Sequence, residues 1–485
     1  MTALRVLSVA SEAFPLVKTG GLGDVVGALP EALAREGIET VTLIPGYARV
    51  VEALRERTIV RSYDYLHGAP AHLLAGQAGG LDLLVLDAPH LFARGGNPYV
   101  APDGADWPDN AQRFAALGTV AADLSQGAVP GFVPDVLHAH DWQAAIAIAL
   151  LHYRGGPRPG TVMTVHNLAF QGMFPRDLLA DIGLPPHAFS ADGVEYYGHI
   201  GYLKGGLALA DRITTVSPTY AAEIRSVEHG MGLDGLLRHR ANALSGILNG
   251  VDTVVWNPAT DPHLVSPYDA RRLARRAANR AALQARIGLA PDPDALLVGV
   301  VSRLTWQKGM DLLPSVLPAL RALGGQLALI GAGDYELENQ LAQEAAAEPE
   351  RIAVTIGYDE SLAHQIQGSV DVLLVPSRFE PCGLTQLCAL RYGAVPLVAR
   401  AGGLADTVVD ANTMALAADA GTGFVFAPGS VDALGFALER AALLRRDTRA
   451  WQQVQRRGMK TDVSWQRPAE QYAALFRALV AERAG

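Results

Sequence analysis

The chain has 485 residues, 49% of them hydrophobic, and a formal net charge of -9 at pH 7. One hydrophobic core stops growing at roughly 250 to 300 residues, so the length predicts at least two domains. The negative charge argues against general nucleic-acid binding, which requires Lys and Arg to neutralise phosphates. Any anion-binding site must therefore be local.

The two cysteines, Cys382 and Cys388, predict neither a disulfide framework nor a Cys-x-x-Cys metal site. We therefore expect a reducing compartment, the cytoplasm. The first apolar run is short and is soon followed by Glu12, so it is interpreted as a strand rather than a signal peptide. No stretch approaches the ~18 apolar residues of a membrane span, and we expect a soluble protein without a membrane partner.

Short apolar runs, each followed by a longer helical pattern, recur along the first half of the chain. This alternation is typical of parallel βαβ units and predicts a doubly wound α/β sheet over about residues 1–245. The predicted strands are Leu4–Val9, Thr40–Ile44, Leu81–Leu86, Val136–Ala139, Thr161–Val165 and Ile213–Val216.

A glycine-rich segment, Lys18-Thr-Gly-Gly-Leu-Gly-Asp24, follows the first strand and precedes a helical pattern over Val25–Arg35. Glycines let the backbone approach a ligand, and a helix N-terminus offers free N–H groups to an anion. The segment therefore suits a diphosphate, with Lys18 as a mobile positive charge. An ordinary strand-to-helix turn is the alternative, because the segment fits neither the P-loop nor the Gly-x-Gly-x-x-Gly pattern.

Polar side chains lie at the ends of two predicted strands of the first half. Ligands bind at the carboxyl ends of strands in open α/β sheets, so we expect these side chains to bind a sugar. A zinc site is disfavoured because alternate strand residues point the same way, which turns Asp141 away from the neighbouring histidines. The segments are His138-Ala-His-Asp-Trp142 and Val165-His-Asn167, and the candidate ligands are Asp141, His166 and Asn167.

A turn signal at Asn249-Gly-Val-Asp252 predicts a domain boundary near residue 248. A second strand and helix series follows, so the chain is predicted to contain two Rossmann-like halves. A basic helical pattern near Ala270–Ile287 opens this half, and its arginines over Arg271–Arg280 are interpreted as surface residues. The predicted strands are Leu296–Val301, Gln326–Ile330, Ile352–Ile356, Val372–Val375, Pro396–Ala399 and Gly423–Phe426.

A loop with two cations, Val301-Ser-Arg-Leu-Thr-Trp-Gln-Lys-Gly309, follows the first strand of the second half. Arg303 and Lys308 at the carboxyl edge of a sheet would neutralise a leaving pyrophosphate-like group, where a fixed donor is worth roughly 3 kcal/mol. Two solvated surface cations are the alternative interpretation.

An acidic segment, Arg378-Phe-Glu-Pro-Cys-Gly-Leu-Thr385, follows another predicted strand and opens a helical pattern. Glu380 is the first candidate for an essential acidic residue that holds sugar hydroxyls. Free backbone N–H groups, expected to begin at Cys382, Gly383 and Leu384, could receive a phosphate. The alternative role of Glu380 is to stabilise the helix dipole.

Together these segments resemble the bacterial glycogen synthase and plant starch synthase family, in the family's order and over nearly the whole chain. The combination of Lys18-Thr-Gly-Gly21 with Glu380-Pro-Cys-Gly-Leu384 is the specific part. The resemblance implies a GT-B fold, with two Rossmann-like domains facing a central cleft and a C-terminal helix crossing back to the first domain. It implies an acceptor domain over residues 1–248, a donor domain over 249–464 and a crossover helix over 465–485.

The resemblance also implies an activity and a set of site residues. Glucose would pass from ADP-glucose to the non-reducing end of an α-1,4-glucan with retention of configuration, without a metal or another cofactor. The implied catalytic residues are Glu380, His166, Lys18, Arg303 and Lys308, and the implied substrate contacts are Lys18, Gly21, Asp24, Tyr99, Asp141, Asn167, Asn249, Gln307, Tyr358, Cys382, Gly383, Leu384 and Thr385.

The resemblance implies that retention proceeds by front-side attack, and the sequence reveals no carboxylate pair suited to double displacement. The departing phosphate would accept the acceptor hydroxyl's proton while His166 and its neighbours steady an oxocarbenium-like sugar. Two alternatives stay open: a GT-B synthase that uses UDP-glucose, and a nucleotide-sugar or glucan-binding sensor on the same scaffold.

Overall fold

The computed structural model describes residues 3–484, which form two compact units. The first unit runs to Asn249 and resumes at Trp465, and the second spans Gly250–Ser464. The chain first passes from one unit to the other after Asn249, one residue beyond the boundary expected near residue 248. Within the described residues, none of the helices combines the length and the apolar composition that a membrane crossing requires.

The first unit is built around a mostly parallel sheet. Its described strands are β1 (Leu4–Val9), β2 (Ile38–Pro45), β3 (Arg55–Leu66), β4 (Ala69–Ala78), β5 (Leu81–Asp87), β6 (Val136–His140), β7 (Gly160–Val165), β8 (Met173–Phe174), β9 (Glu195–Tyr196), β10 (His199–Gly201), β11 (Arg212–Thr215) and β12 (Leu244–Gly246). Nine of them pair in the order β12-β11-β7-β6-β1-β2-β5-β4-β3, and a small antiparallel sheet has the order β8-β10-β9. The six predicted strands are confirmed, with bounds that differ by at most two residues.

Helices connect these strands and cover the sheet. They are α1 (Gly21–Arg35), α2 (Ala48–Ala53), α3 (Pro89–Phe92), α4 (Asn110–Ser125), α5 (Asp141–Arg154), α6 (Tyr202–Leu209), α7 (Pro218–Glu223) and α8 (Asp234–His239), with 3-10 turns at Arg176–Leu179, Pro186–Ala188 and Ala241–Ala243. The largest core cluster lies between α4, α5, α6 and the strands, where side chains such as Phe114 and Leu150 are at most 1% exposed.

The hairpin of β3 and β4 was not predicted. These strands pair antiparallel with one another, and β4 pairs antiparallel with β5, which extends the parallel sheet at one edge. Most residues of β3 are exposed, and its sequence carries Arg55, Arg57 and Arg61. Charged side chains are common on edge strands because they discourage pairing with other chains, and they hide the apolar alternation on which the prediction relied.

The second unit contains a six-stranded, fully parallel sheet with the order β15-β14-β13-β16-β17-β18. Its strands are β13 (Leu297–Val301), β14 (Gln326–Gly331), β15 (Ile352–Ile356), β16 (Val372–Val375), β17 (Val395–Ala399) and β18 (Phe424–Phe426), each within one residue of its predicted bounds. Its helices are α9 (Arg276–Ile287), α10 (Leu313–Ala322), α11 (Tyr335–Ala347), α12 (Glu360–Ser369), α13 (Thr385–Tyr392), α14 (Gly402–Thr407), α15 (Thr413–Ala417), α16 (Val431–Arg446) and α17 (Thr448–Lys460), with 3-10 turns at Leu273–Arg275 and Met310–Leu312.

Each sheet has a topological switch point at its first strand. In the first unit β1 pairs with β2 on one side and β6 on the other, and in the second β13 pairs with β14 and β16. Helices leave such a pair in opposite directions, which opens a crevice at the carboxyl ends of the strands. The loops after β1 and β6, and those after β13 and β16, are therefore the natural places for binding residues.

Two arginines that were interpreted as surface residues are buried, so that interpretation was wrong. Arg276 is 8% exposed and donates to the carbonyl oxygen of Val370 at 2.6 Å, and it also donates to the carbonyl of Gly393. Arg280 is 7% exposed and lies 2.7 Å from Asp371. Buried cations require partners of this kind, and a sequence pattern cannot reveal carbonyls that lie some 90 to 120 residues away.

Two predicted helices also differ in their bounds. The helix α1 begins at Gly21 rather than Val25, because Leu22 and Gly23 are buried and its first turn packs into the unit. The pattern near Ala270–Ile287 forms an α-helix only from Arg276.

The C-terminal helix α18 (Gln466–Ala484) belongs to the first unit, which confirms the predicted crossover. Tyr472 and Phe476 are fully buried and pack with Leu29 and Val136 of the first unit. The guanidinium of Arg477 donates to the carbonyl oxygen of Glu36. The last part of the chain therefore completes the core around α1 and β1.

We expect Phe476→Ala to lower the free energy of unfolding of the first unit by about 3–5 kcal/mol, because it removes a fully buried aromatic ring and leaves a cavity. Urea denaturation measures this loss. Gln471→Ala on the exposed face of the same helix is the control, with a change below about 0.5 kcal/mol. Equal effects of the two substitutions would show that α18 does not complete this core.

Candidate active site

In the second unit the predicted acid and one predicted cation meet. Lys308 Nζ lies 2.6 Å from Glu380 Oε2, and Ser377 Oγ donates to the same oxygen at 2.9 Å. Lys308 follows β13 and Glu380 follows β16, so the two adjacent strands bring them together. Their side chains are 17% and 9% exposed, which strengthens the charge-assisted hydrogen bond relative to one in water. The carboxylate of Glu380 is thus held in one orientation.

Two glycines, Gly402 and Gly403, support the backbone under Glu380. Gly403 N donates to the carbonyl oxygens of Glu380, at 3.1 Å, and Pro381, at 3.2 Å. A Cβ at Gly403 would lie 2.2 Å from the carbonyl oxygen of Cys382, and one at Gly402, whose φ is +41°, would lie 2.0 Å from that of Glu380. Only glycines permit this close approach.

This support was not predicted, although the sequence contains a signal for it. Gly402-Gly-Leu-Ala-Asp406 repeats the pattern of Gly20-Gly-Leu-Gly-Asp24. The first of these segments leads into α14 after β17, and the second leads into α1 after β1. A search for internal repeats would have found it.

The segment expected to bind phosphate leads into α13. The helix begins at Thr385 with Leu384 as its N-cap residue, so the N–H groups of Leu384 and of the first turn have no intrahelical partners. Gly383 turns the chain with a φ of +73°, and Leu384 precedes the helix. Gln386 Nε2 donates to the carbonyl oxygens of Cys382 and Gly383 at 3.0 and 2.9 Å, which fixes this turn.

The remaining predicted residues of the second unit are less closely associated with Glu380. The side chain of Arg303 is exposed and forms no hydrogen bond or ion pair with another described residue, so only Lys308 of the two predicted cations contacts the carboxylate. Gln307 is half-buried, and its carbonyl oxygen accepts from Arg378 N at 2.9 Å. Tyr358 follows β15 and is 79% exposed.

In the first unit a buried carboxylate that the sequence analysis did not select organises the glycine-rich loop. Glu12 is 2% exposed, and it accepts from Thr19 N and Thr19 Oγ1 at 2.5 Å each and from Gly20 N at 3.3 Å. The hydroxyl of Tyr99 also donates to Glu12 and lies 2.8 Å from Ser11 Oγ. An acid directly after a buried strand was the available signal.

The charged ends of this loop pair with one another. Lys18 Nζ lies 2.7 Å from Asp24 Oδ1, and Lys18 is exposed. Gly21, the first residue of α1, is exposed as well. Burial, together with the charge of Glu12, raises the pKa of Tyr99, so its hydroxyl stays a neutral donor. The structure therefore places Lys18, Gly21, Asp24 and Tyr99 around one loop.

Asp141 links the ends of β6 and β7. Its Oδ1 accepts from the N–H groups of His166, at 2.7 Å, and Asn167, at 3.4 Å, and its own backbone has a φ of +55°. Such a φ is uncommon for residues other than glycine and often marks a functional site. Burial raises the pKa of Asp141 to about 7, although the two N–H groups act in the opposite direction.

Three histidines lie side by side at the same strand ends. The ring centroids of His138 and His140 are 4.0 Å apart, and His140 Nδ1 lies 3.0 Å from His166 Nε2. Burial lowers the pKa of His138 and of His166 to about 3 and lowers that of His140 as well. All three rings are thus neutral near pH 7. Among residues 3–484 no group of three His, Cys, Asp or Glu side chains is arranged to hold a metal ion.

Two asparagines complete the predicted set. Asn167 Oδ1 accepts from Ala169 N at 3.0 Å, which shapes the turn after β7. Asn249 is 8% exposed, and its Oδ1 is buried without a hydrogen-bond partner among the described residues. A buried polar atom without a partner is rare and is compatible with a ligand contact.

Comparisons with known proteins agree with this geometry. A family described as the starch synthase catalytic domain matches residues 5–239, and one described as glycosyl transferases group 1 matches residues 284–457. Glycogen synthases from Methylocella silvestris and from a strain of Rhodopseudomonas palustris are 61% and 62% identical over 483 residues, with 100% of this chain and of each relative covered.

The chain belongs to the glycogen synthase and starch synthase family. The catalytic domain of starch synthase IV from Arabidopsis thaliana, solved with ADP and acarbose, has a TM-score of 0.88 at 31% identity and covers 99% of this chain and 100% of its own. Sucrose-phosphate synthase from Thermosynechococcus elongatus shares the fold, with a TM-score of 0.62 at 17% identity and coverage of 99% and 100%. These findings confirm the predicted two-domain GT-B fold and the predicted family.

We expect Asp141→Asn to change how stability depends on pH. The pKa of Asp141 is about 7 in the folded chain and 3.8 in the unfolded one, so ionisation costs stability as the pH rises between these values. From about pH 5 to about pH 8 the wild type should lose roughly 3 kcal/mol that the variant keeps. Urea midpoints across this range measure the difference, with exposed Asp64→Asn as the charge control. Parallel profiles for wild type and Asp141→Asn would contradict the burial effect.

We expect Gly403→Ala to destabilise the second unit by about 1–3 kcal/mol, because the new Cβ would overlap Cys382. The melting temperature measures this effect. Gly435→Ala is the matched control: no atom lies within 4 Å of its new Cβ, and it is inside α16, so it should stabilise by about 0.5–1 kcal/mol. Unchanged melting of Gly403→Ala would show that the backbone under Glu380 is not tightly packed.

Proposed function

We propose that the chain transfers glucose from ADP-glucose to the non-reducing end of an α-1,4-glucan, with retention of configuration. The contact of Glu380 with Lys308 carries this proposal, because it places a fixed carboxylate and a buried cation together beside the first turn of α13. A sugar needs hydrogen-bond acceptors, and a leaving diphosphate needs positive charge and free N–H groups.

The donor is assigned from two lines of support. The relative from Arabidopsis was solved with ADP, and the relatives with about 60% identity are named glycogen synthases. We assign the diphosphate to Lys308, Arg303 and the N–H groups from Thr385, and the transferred glucose to Glu380. Cys382, Gly383, Leu384, Gln307 and Tyr358 form the surroundings of the donor in this assignment.

The first unit contributes the second set of contacts. Lys18 and Gly21 contact the diphosphate and sugar of the donor, with Asp24 holding Lys18 in position at 2.7 Å. His166, Asp141, Asn167 and Asn249 face the sugar, and Tyr99 contacts the glucan. The buried carboxylate of Glu12 keeps the loop around Lys18 in a single conformation.

The reaction follows as front-side attack. The glycosidic bond to the donor phosphate lengthens, and positive charge develops on the sugar while negative charge develops on the phosphate. Lys308 and Arg303 stabilise the leaving phosphate, whose oxygen accepts the proton of the acceptor hydroxyl as that hydroxyl attacks from the same face. Neutral His166 and the carboxylate of Glu380 steady the oxocarbenium-like sugar. Fixed dipoles and charges of this kind provide catalysis without a covalent intermediate.

We further propose that no metal or other cofactor takes part and that the protein resides in the cytoplasm. Lysine and arginine side chains and helix N–H groups can supply the positive charge that a metal ion would otherwise provide. Neither cysteine forms a disulfide bond, and both are buried, as is common in a reducing compartment.

We expect Glu380→Gln to lower kcat for glucan synthesis by about 10²–10³-fold, because the amide cannot stabilise the developing positive charge. Labelled ADP-glucose or UDP-glucose is incubated with glycogen, and label in the α-1,4-glucan is counted. ADP affinity is measured separately by calorimetry and should change only a few-fold. Glu439→Gln, an exposed carboxylate on α16, should match the wild type.

The other outcomes decide between the alternatives. Incorporation from UDP-glucose alone would reject the donor and leave the rest of the mechanism in place. Nucleotide binding without any transfer by the wild type would reject the enzyme in favour of a sensor. Full activity of Glu380→Gln would reject the role of the carboxylate.

A further inference from the structure

A small cavity lies behind the histidines of the first unit, beside α1 and strands β1, β2 and β6. Val6, Ser8, Leu29, Thr40, His138 and His140 contribute to its lining. Two buried polar atoms of this lining, His140 Nε2 and Thr40 Oγ1, have no hydrogen-bond partner among the described residues. The cavity has room for the centre of a water molecule, and most of its lining is apolar. A water bound there would give these two atoms the partners that buried polar groups require.

The other nitrogen of the His140 ring, Nδ1, lies on the side of the proposed site. His140 Nδ1 lies 3.0 Å from His166 Nε2, and His140 is fully buried. His166 is half-buried, and its Nδ1 makes no hydrogen bond with a described residue. The His166 ring is therefore held at Nε2 and open at Nδ1.

We propose that His140 is a positioning residue which, together with a water molecule bound to its Nε2 and to Thr40 Oγ1, fixes the orientation and tautomer of His166. The inference rests on the proposed function, in which His166 faces the transferred sugar. Each neutral imidazole carries one proton, so the hydrogen bond between the rings couples their tautomers, and the partner at the far nitrogen of one ring selects the state of the other.

The neutral state of both rings supports this coupling. Burial lowers the pKa of His166 to about 3. Burial, and to a smaller extent the neighbouring histidines, lower the pKa of His140. Neither ring then donates from both nitrogens near pH 7, and one shared hydrogen bond constrains both. The water at Nε2 keeps a buried ring nitrogen from being left without a partner.

Three substitutions at His140 separate its two nitrogens. His140→Asn retains a polar group at the position of Nδ1, His140→Gln retains one at the position of Nε2, and His140→Leu retains neither. We expect Leu and Gln to lower kcat by about 10–100-fold at nearly unchanged KM for ADP-glucose, as for other residues that orient an active-site histidine. Asn should recover most of kcat, because it can still hold His166. Melting curves confirm that each variant is folded.

A merely structural role would rank the variants by stability and not by which nitrogen is replaced. Equal kcat for Asn and Leu, or recovery by Gln instead of Asn, would overturn the positioning role. A wild type that is inactive with ADP-glucose and glycogen would instead overturn the proposed function, so the two failures are distinguishable.

The water is tested at the other wall of the cavity. Thr40→Val should lower kcat a few-fold, whereas Thr42→Val, on the same strand but outside the cavity lining, should leave kcat unchanged. A high-resolution crystal structure of the wild type should show one ordered water within hydrogen-bond distance of His140 Nε2 and Thr40 Oγ1. A dry cavity, or equal kcat for Thr40→Val and wild type, would overturn the water site.

Discussion

The position of the first strand in each sheet is the constraint on which the candidate residues of each unit depend. Because β1 and β13 each pair with strands on both sides, the loops after β1 and β6 start at adjacent points of the carboxyl edge of the first sheet, and those after β13 and β16 do so in the second. That adjacency brings Lys308 to Glu380, which lie 72 residues apart in the chain. The pairing of β6 with β7 similarly brings the N–H of His166 to Asp141.

Three buried carboxylates determine the local geometry, and each is held by a different set of partners. Glu380 is held by a lysine and a hydroxyl, Glu12 by backbone N–H groups and hydroxyls, and Asp141 by the N–H groups of the next strand end. A buried carboxylate is stable only with such partners. Consequently these partners hold each of the three carboxylates in a defined position on its loop.

The repeated segments Gly20–Asp24 and Gly402–Asp406 show how one local device serves two purposes. Each starts a helix with glycines. In the first unit the segment leaves Gly20 and Gly21 exposed, whereas in the second Gly402 and Gly403 pack against the backbone of Glu380 and Cys382. The sequence pattern alone does not distinguish an exposed glycine pair from one that packs against a neighbouring loop.

The sequence by itself determined what local patterns encode: the twelve predicted strands, the crossover helix, the family, and the motifs that carry Lys18, Asp141, His166, Lys308 and Glu380. Only the tertiary structure decided which of these residues touch, that Glu12 and Gly403 support them, that Arg276 and Arg280 are buried, and that an edge hairpin extends the first sheet. The physical reason is the distance along the chain between residues that interact. Strand and helix periodicity depends on neighbours within a few residues, but the partners of Glu380 and Arg276 come from segments some 70 to 120 residues distant, and only sheet order and packing bring those segments together.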